Sequence, residues 1–315
     1  MKIAFVLDPL PSLQPHHDTS LALMAACERR GHQVYALTLP NLWVQDGQAW
    51  ARVDHLSLDL TGDPWFTFLS SEALPLGRMD AVWMRKDPPV DNAYITATQL
   101  LDLIPAPTLV LNHPAGLRSA NEKLFALQFQ DWIPTTLVSQ NKAILLDFVQ
   151  ERGQAVLKPL GGKGGEGILF LTATDRNLKS LVEISTQFGQ VPVMVQEYLP
   201  AAKEGDKRIL LLDGQPLGAV NRIPGDGDFR GNIAAGGRVA ATTITPREQD
   251  LCAALAPVLQ RDKLYFVGID VIGEKLTEIN VTSPTMLQEM SQLTGLDLAT
   301  QVVTWLENKC YKATP

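Results

Sequence analysis

With 315 residues, 45% of them hydrophobic and 19% charged, the chain is long enough for two or three packed domains, and its globular balance excludes a disordered or fibrous protein. A formal net charge of −7 and the lack of any Lys/Arg run argue against a nucleic-acid or acidic-membrane partner, since both need a basic surface. The three cysteines, Cys27, Cys252 and Cys310, match no metal or redox spacing and read as buried, inert thiols of a reducing cytosol.

Residues 2–7, KIAFVL, read as a buried parallel strand, and 18–30 as a helix that Asp18 or Thr19 caps and Gly31 ends. The N-terminus lacks a signal-peptide core and no window reaches the length of a membrane span, so a cytoplasmic location is expected. QVYALTL, AVWMR (81–85) and LVLN (109–112) continue an α/β layer of roughly the first 115 residues. In NHPAGLRSANEKLFALQF, Pro114 forces an extended entry and a helix is expected from about Ser119. From Gln154 the texture becomes that of short strands: QAVLKPL, GILFL, VMVQEYL, KRILLLDG and PLGAVNRI, separated by Gly, Pro and Asp turns. RIPGDGDFRGNIAAGGR (222–238) is too glycine-rich for a core and reads as a flexible loop. A helix around 246–260 leads to LYFVGIDVIGEKLTEINVTSP and a last helix near 297–309. The five histidines show no ligand spacing, and Trp43, Trp50 and Trp65 read as core.

KPLGGKGGEG (158–167) is the first stretch with chemical content. A P-loop is excluded because Ile168 follows Gly167 where lysine is required. G-x-G-x-x-G matches at Gly162, Gly164 and Gly167, yet ILFL after it signals a strand, and the dinucleotide motif needs a helix there. Two readings stand: a β-hairpin flap whose bared N–H groups cover phosphates above Lys158, or an ordinary hairpin with a solvent-facing lysine.

FVGIDVIGEKLTEIN supplies the second. With Gly273, Glu274 and Lys275 as a three-residue loop, Ile272 pairs with Leu276 and Asp270 opposes Glu278, with Asn280 on the same face. Opposed carboxylates repel unless a cation separates them, and hard oxygen donors suit Mg²⁺ shared with phosphate. An exposed edge strand, or a bulge separating the two acids, is the competing reading.

These segments together resemble the ATP-grasp ligases, and within them the bacterial glutathione synthetases. The likeness runs through MRKDPP (84–89), NEKLFA (121–126), KPLGGKGG (158–165), DKR (206–208), RGNIAAGGR (230–238) and GIDVIGEKLTEINVTSPT (268–285). It implies an ATP-grasp fold: an N-terminal parallel-sheet α/β domain (1–120), a lid subdomain with the glycine flap (121–200) and a catalytic subdomain (201–315), whose β-rich lobes enclose the nucleotide. ATP is the implied co-substrate. Lys123 and Lys158 would meet its phosphates, Gly162, Gly164 and Gly165 would cover them, and Glu197, Tyr198 and Leu199 would form the hinge that reads adenine. Asp206 would hold the ribose. Asp270, Glu278 and Asn280 match the family's Mg²⁺ ligands, with Mn²⁺ a second candidate. Arg208, Arg230 and Asn232 fall where the family handles the moving phosphoryl group, and Arg85, Arg222, Arg238 and Ser283 where it meets the peptide. Where the family's flap often carries methionine or small residues, this chain has Lys163.

The implied reaction joins γ-glutamylcysteine and glycine through an acyl phosphate, with no side-chain nucleophile, and the chain has no convincing Ser/His/Asp or Cys/His set. An acyl phosphate needs protection from water, which suits 222–238 as a lid, or that segment is a plain surface loop. Arg85 and Lys86 either face the peptide or form a salt-bridged turn, and Asp18 and Ser20 fit helix capping better than substrate contact. The alternatives are an ATP-grasp ligase with another acceptor and a non-catalytic ATP-binding regulator. The family also implies a homo-oligomer, a tetramer.

Overall fold

The computed structural model describes residues 1–162, 164–225 and 236–313. KIAFV, apolar on both faces beyond its first residue, forms β1 (Lys2–Val6) in the interior of a seven-stranded sheet. The others are β2 (Gln33–Leu37), β3 (Leu42–Gln45), β4 (Gln48–Leu58), β5 (Phe66–Pro75), β6 (Ala81–Met84) and β7 (Leu109–Leu111). Their order is β3-β4-β2-β1-β6-β7, with β5 also on β4. β2, β1, β6 and β7 are parallel, as expected, while β3, β4 and β5 extend the sheet antiparallel over a stretch for which the sequence suggests no strand. Trp43 and Trp50 stack across β3 and β4 at 6.3 Å. With Trp65 they are half-buried, where the sequence suggests core positions.

Asp18, not Thr19, caps α1 (Thr19–Arg29), its Oδ1 accepting from Leu21 N at 3.0 Å. α2 (Asn92–Leu101) is capped likewise by Asp91. α3 (Pro114–Ser119) begins with proline and ends where the sequence suggests a helix starting. The side chain of Asn121 explains the difference: its Oδ1 takes the N–H groups of Lys123 and Leu124, each at 3.1 Å, and folds 121–124 into a turn.

β8 (Thr136–Ser139), β9 (Gln154–Pro159), β10 (Leu169–Thr172) and β11 (Val193–Glu197) form an antiparallel sheet ordered β10-β9-β11-β8. α4 (Lys142–Arg152) and α5 (Leu178–Ser185) cover it with a core of its own, including Leu145, Val149, Leu157, Val182 and Val195. A third sheet holds β12 (Asp206–Leu212), β13 (Gln215–Ile223), β14 (Arg238–Ala241), β15 (Phe266–Ile272) and β16 (Lys275–Asn280), all antiparallel in the order β14-β13-β12-β15-β16. α6 (Pro246–Arg261) opens with a Thr245–Glu248 capping box, and α7 (Leu287–Thr294) and α8 (Leu298–Ala313) follow.

The first and third sheets share their cores: Phe5 and Trp83 lie in one cluster with Leu210 and Phe266, and Val6 and Leu37 in another with Ile209 and Val267. Asn112 stitches the two at the end of β7. Its amide donates to Phe266 O (2.9 Å) and Val281 O (2.8 Å) and accepts from Tyr265 N (2.8 Å) and Phe266 N (2.9 Å).

The β15–β16 hairpin differs from expectation in its turn. Gly273 and Glu274, both at positive φ (54° and 65°), make a two-residue loop, so Ile272 pairs with Lys275. A bulge between Asp270 and Val271 inserts Thr277 and restores Asp270 opposite Glu278.

Candidate active site

Between the second and third sheets lies a cleft of about 460 Å³. Its floor is a charge ladder built from cross-strand neighbours. Arg222 faces Asp206 across β13 and β12, Arg208 faces Asp270 across β12 and β15, and Asp270 faces Glu278 across β15 and β16. Alternation along β12 turns Asp206 and Arg208 to one side. Arg208 grips Asp270 bidentately, Nε to Oδ1 at 2.5 Å and Nη2 to Oδ2 at 2.9 Å, and Arg222 Nη2 lies 3.0 Å from the same carboxylate. Gly268 leaves room for this grip: a Cβ there would stand 3.1 Å from Arg208 Cδ and 3.0 Å from Pro284 Cβ, so a side chain would press on both.

Burial alone would raise both buried acids, and their arginines separate them. Asp270, held by Arg208 and then Arg222, lies well below the usual carboxylate range. Burial of Asp206 outweighs the pull of Arg222 and pushes its carboxyl up to about 6. Arg222 Nη2 meets Asp206 Oδ2 at 2.5 Å, while Asp206 Oδ1 is buried and accepts no hydrogen bond from the described residues.

On the opposite wall, β9 carries Lys158, whose Nζ stands 4.0 Å from Glu278 Oε1; Lys123 Nζ stands 3.8 Å from the same oxygen. Lys123 is also 2.5 Å from Glu122 Oε1. Burial would lower the Lys123 ammonium, but Glu278 and Glu122 outweigh it and raise it. Burial and then Glu278 raise the Glu122 carboxyl, against Lys123. β9 and β10 pair as a hairpin beside the cleft, and Gly161, Gly162, Gly164 and Gly165 line it. Positive φ at Gly162, Gly164, Gly165 and Gly167 (98°, 64°, 84° and 68°) explains the glycine density. Lys163 lies outside the described residues.

Apolar Val156, Ile168 and Ile272 line the cleft together with Tyr198 and Leu199. Glu197 Oε1 accepts from Thr135 N at 2.9 Å, and Tyr198 donates its N–H to Gln154 O at 3.3 Å. Of the three expected hinge residues, Leu199 is the one whose N–H meets no acceptor among the described residues. Asp87, Pro88, Thr282, Ser283, Thr285 and Met286 also line it.

The cleft thus gathers Lys123, Lys158, Gly162, Gly164, Gly165, Glu197, Tyr198, Leu199, Asp206, Arg208, Arg222, Asp270, Glu278, Asn280 and Ser283. Arg85 is buried beneath its rim, and Arg238 lies apart, exposed on edge strand β14. Arg230 and Asn232 fall outside the described residues. Lys86 pairs with Asp8 at 2.9 Å, so this part of RKDPP is a salt-bridged turn. Cleft residues that the sequence reading passes over include Glu122 and Gln196, each next to a named residue, and Thr277, whose place depends on the bulge. Away from the cleft, burial pushes the thiols of Cys27 and Cys252 up to about 12 and Cys310 to about 11, as inert cysteines should be.

No cluster of three His, Cys, Asp or Glu suited to a metal occurs among the described residues. Asp270, Glu278 and Asn280 together still form a hard-oxygen set. Hard oxygen donors of this kind are what a divalent cation takes.

The two facing sheets, the glycine flap and the lysine-and-carboxylate cleft define an ATP-grasp ligase. Solved structures agree on the fold: the ATP-grasp ligase PsnB with its minimal precursor (TM-score 0.66, 20% identity, 98% of each chain) and the D-cycloserine synthetase DcsG (TM-score 0.66, 16% identity, 97% of this chain and 100% of that one). Family models for the prokaryotic glutathione synthetase N-terminal domain and ATP-grasp domain match residues 1–118 and 122–295. Glutathione synthetase of Thermosynechococcus vestitus is 58% identical over 97% of this chain and 99% of its own, and that of a Synechocystis species 53% over 98% and 100%. The chain belongs to the prokaryotic glutathione synthetase family.

Proposed function

We infer that the protein ligates γ-glutamylcysteine to glycine, with ATP cleaved to ADP and phosphate. The γ-phosphoryl group passes from the β–γ bridging oxygen of ATP to the peptide's C-terminal carboxylate, giving an acyl phosphate and ADP. The amine of glycine, its extra proton lost, adds to the acyl carbon; the carbon–oxygen bond to phosphate breaks, and an amide forms.

The observation that carries this reading is the facing of Lys123 and Lys158 toward Asp270 and Glu278 across one cleft beneath a glycine flap. The two lysines hold the nucleotide's phosphates, and the bared N–H groups of Gly162, Gly164 and Gly165 close over them. Val156, Ile168 and Ile272 pack the adenine, Leu199 N–H reads it within the 197–199 hinge, and the free Oδ1 of Asp206 accepts from the ribose. Arg208 neutralises the charge that develops as the phosphoryl group moves. A divalent ion on Asp270, Glu278 and Asn280, magnesium in preference to manganese, would supply further charge neutralisation at the phosphate oxygens. Arg222 and Ser283 take the peptide's carboxylates, while Arg238, apart from the cleft on β14, has no part in this reading. Arg230 and Asn232, assigned from the sequence, complete the phosphate side; the ends of the expected 222–238 loop are strand residues of β13 and β14.

The same proposal keeps the division at 1–120, 121–200 and 201–315, supported by the three separate sheets. It also carries a homo-oligomeric state, a tetramer, and a cytoplasmic location. Among the described residues no helix is long and apolar enough to cross a membrane.

ADP release with Mg-ATP, each acceptor alone and both together, with mass detection of the product, tests the reading. Turnover only with γ-glutamylcysteine and glycine, matched by glutathione, is expected. ATP binding without ADP under any combination would overturn it.

A further inference from the structure

We propose that Arg85 is a positioning residue: it sets the 282–286 segment, and so the peptide end of the cleft, without touching substrate. The inference rests on the ligase reading above. Arg85 is only 2% exposed and lies at the carboxyl end of β6, next to the end of β1. Its Nε donates to Ser20 Oγ and its Nη2 to Pro284 O, both at 3.0 Å, and its guanidinium lies 5.7 Å from the centre of the Phe266 ring. Among the described residues it forms no ion pair and its buried Nη1 makes no hydrogen bond. Asp18 and Asp87 bear on its charge without forming an ion pair with it among the described residues, burial outweighs them, and an apolar side chain would suit simple packing better.

What Arg85 holds is the segment whose Thr282, Ser283, Thr285 and Met286 line the cleft. Met286 sits at φ 85°, ψ 9°, a left-handed conformation that a non-glycine residue keeps only where its surroundings impose it. Three straps from the first sheet's side impose it. Arg85 fixes Pro284 O, Thr19 Oγ1 accepts from Leu287 N at 3.3 Å, and Gln288 Nε2 donates to Asp18 O (2.7 Å) and Pro15 O (3.0 Å). A guanidinium suits the first strap because its planar fork spans Ser20 and Pro284 at once; a lysine ammonium on a flexible stem would not fix both. Among the described residues the fork makes no hydrogen bond to β9, β11 or β12, so the larger effect is expected on the peptide.

The test uses the full chain with steady-state kinetics in both substrates. Arg85→Met is expected to raise KM for γ-glutamylcysteine about tenfold or more, from loss of a charged hydrogen bond, with KM for ATP changed less than about twofold. Arg85→Lys is expected to recover part of that loss. If Arg85→Met does not fold, Ser20→Ala and Gln288→Met, which loosen the same segment, must show the same one-sided rise. Equal weakening of both substrates, or an unchanged peptide KM in variants that fold, would overturn the proposal. Wild-type protein that makes no glutathione would instead refute the acceptor reading; the comparison then runs against whichever carboxylate supports ADP release.

Discussion

Replacing Asn112 by alanine is expected to loosen the seam between the first and third sheets. The amide makes four hydrogen bonds to the backbone of residues 265, 266 and 281, at 2.8–2.9 Å, in a position 2% exposed. Alanine leaves two N–H and two C=O groups without a partner in a place where water enters poorly. At about 1 kcal/mol net for each, the loss is about 4 kcal/mol. With an unfolding entropy of about 2.1 cal/mol/K per residue, the 315-residue chain loses about 0.7 kcal/mol per kelvin, so the melting temperature should fall by about 6 °C. Thermal unfolding followed by calorimetry and by tryptophan fluorescence would measure it. Because Phe266 starts the strand that carries Asp270, and Val281 follows Asn280, activity should fall below what the folded fraction explains. A drop of less than about 2 °C would refute the reasoning, showing that these backbone groups find other partners.

Lys158→Ala should lower kcat/KM for ATP about 100-fold by removing a charged donor from the phosphates, read from ADP release; a change within about threefold would remove Lys158 from the phosphate site. Asp206 offers a pH test. Its carboxyl rises from 3.8 to about 6 on burial, so over that window the folded protein keeps a proton that the unfolded chain has lost. Its contribution to stability is complete below 3.8 and is lost as pH rises through about 6, and Asp206→Asn should flatten the fall of melting temperature with pH there. An unchanged slope would contradict this. All three cysteines are buried with raised thiol pKa values, so native protein should resist thiol reagents until it unfolds, and rapid labelling of any one would count against the packing described.

Much of this architecture is legible in local pattern. KIAFV, QVYAL and AVWM are continuous apolar runs because parallel strands are buried on both faces, and the glycines of 161–167 announce a hairpin whose backbone needs positive φ. The opposition of Asp270 and Glu278 is also legible, although through a different turn: a two-residue loop and a bulge add up to the same alignment as the expected three-residue loop. Less is legible where tertiary contact overrides local preference. NEKLFALQF reads as helix, but Asn121 captures two of its N–H groups and donates to Leu160 O at 3.0 Å, fixing Lys123 by a turn at the base of the flap. β3, β4 and β5 carry mixed polar and apolar residues because their hairpins lie half in solvent, which blurs the strand signal. Arg85 shows the limit for single residues: a cation near a ligand-binding sheet end suggests substrate contact, and only the fold reveals that it is covered and grips the loop that faces the cleft.

The central claim is transfer of phosphate to the peptide's own carboxylate. It is tested most directly by running the reaction with γ-glutamylcysteine whose C-terminal carboxylate carries oxygen-18, and analysing the inorganic phosphate by mass. One labelled oxygen in each phosphate, matched to glutathione formed, is the predicted result, since the acyl–oxygen bond breaks when glycine attacks. Unlabelled phosphate alongside glutathione would contradict the acyl-phosphate route.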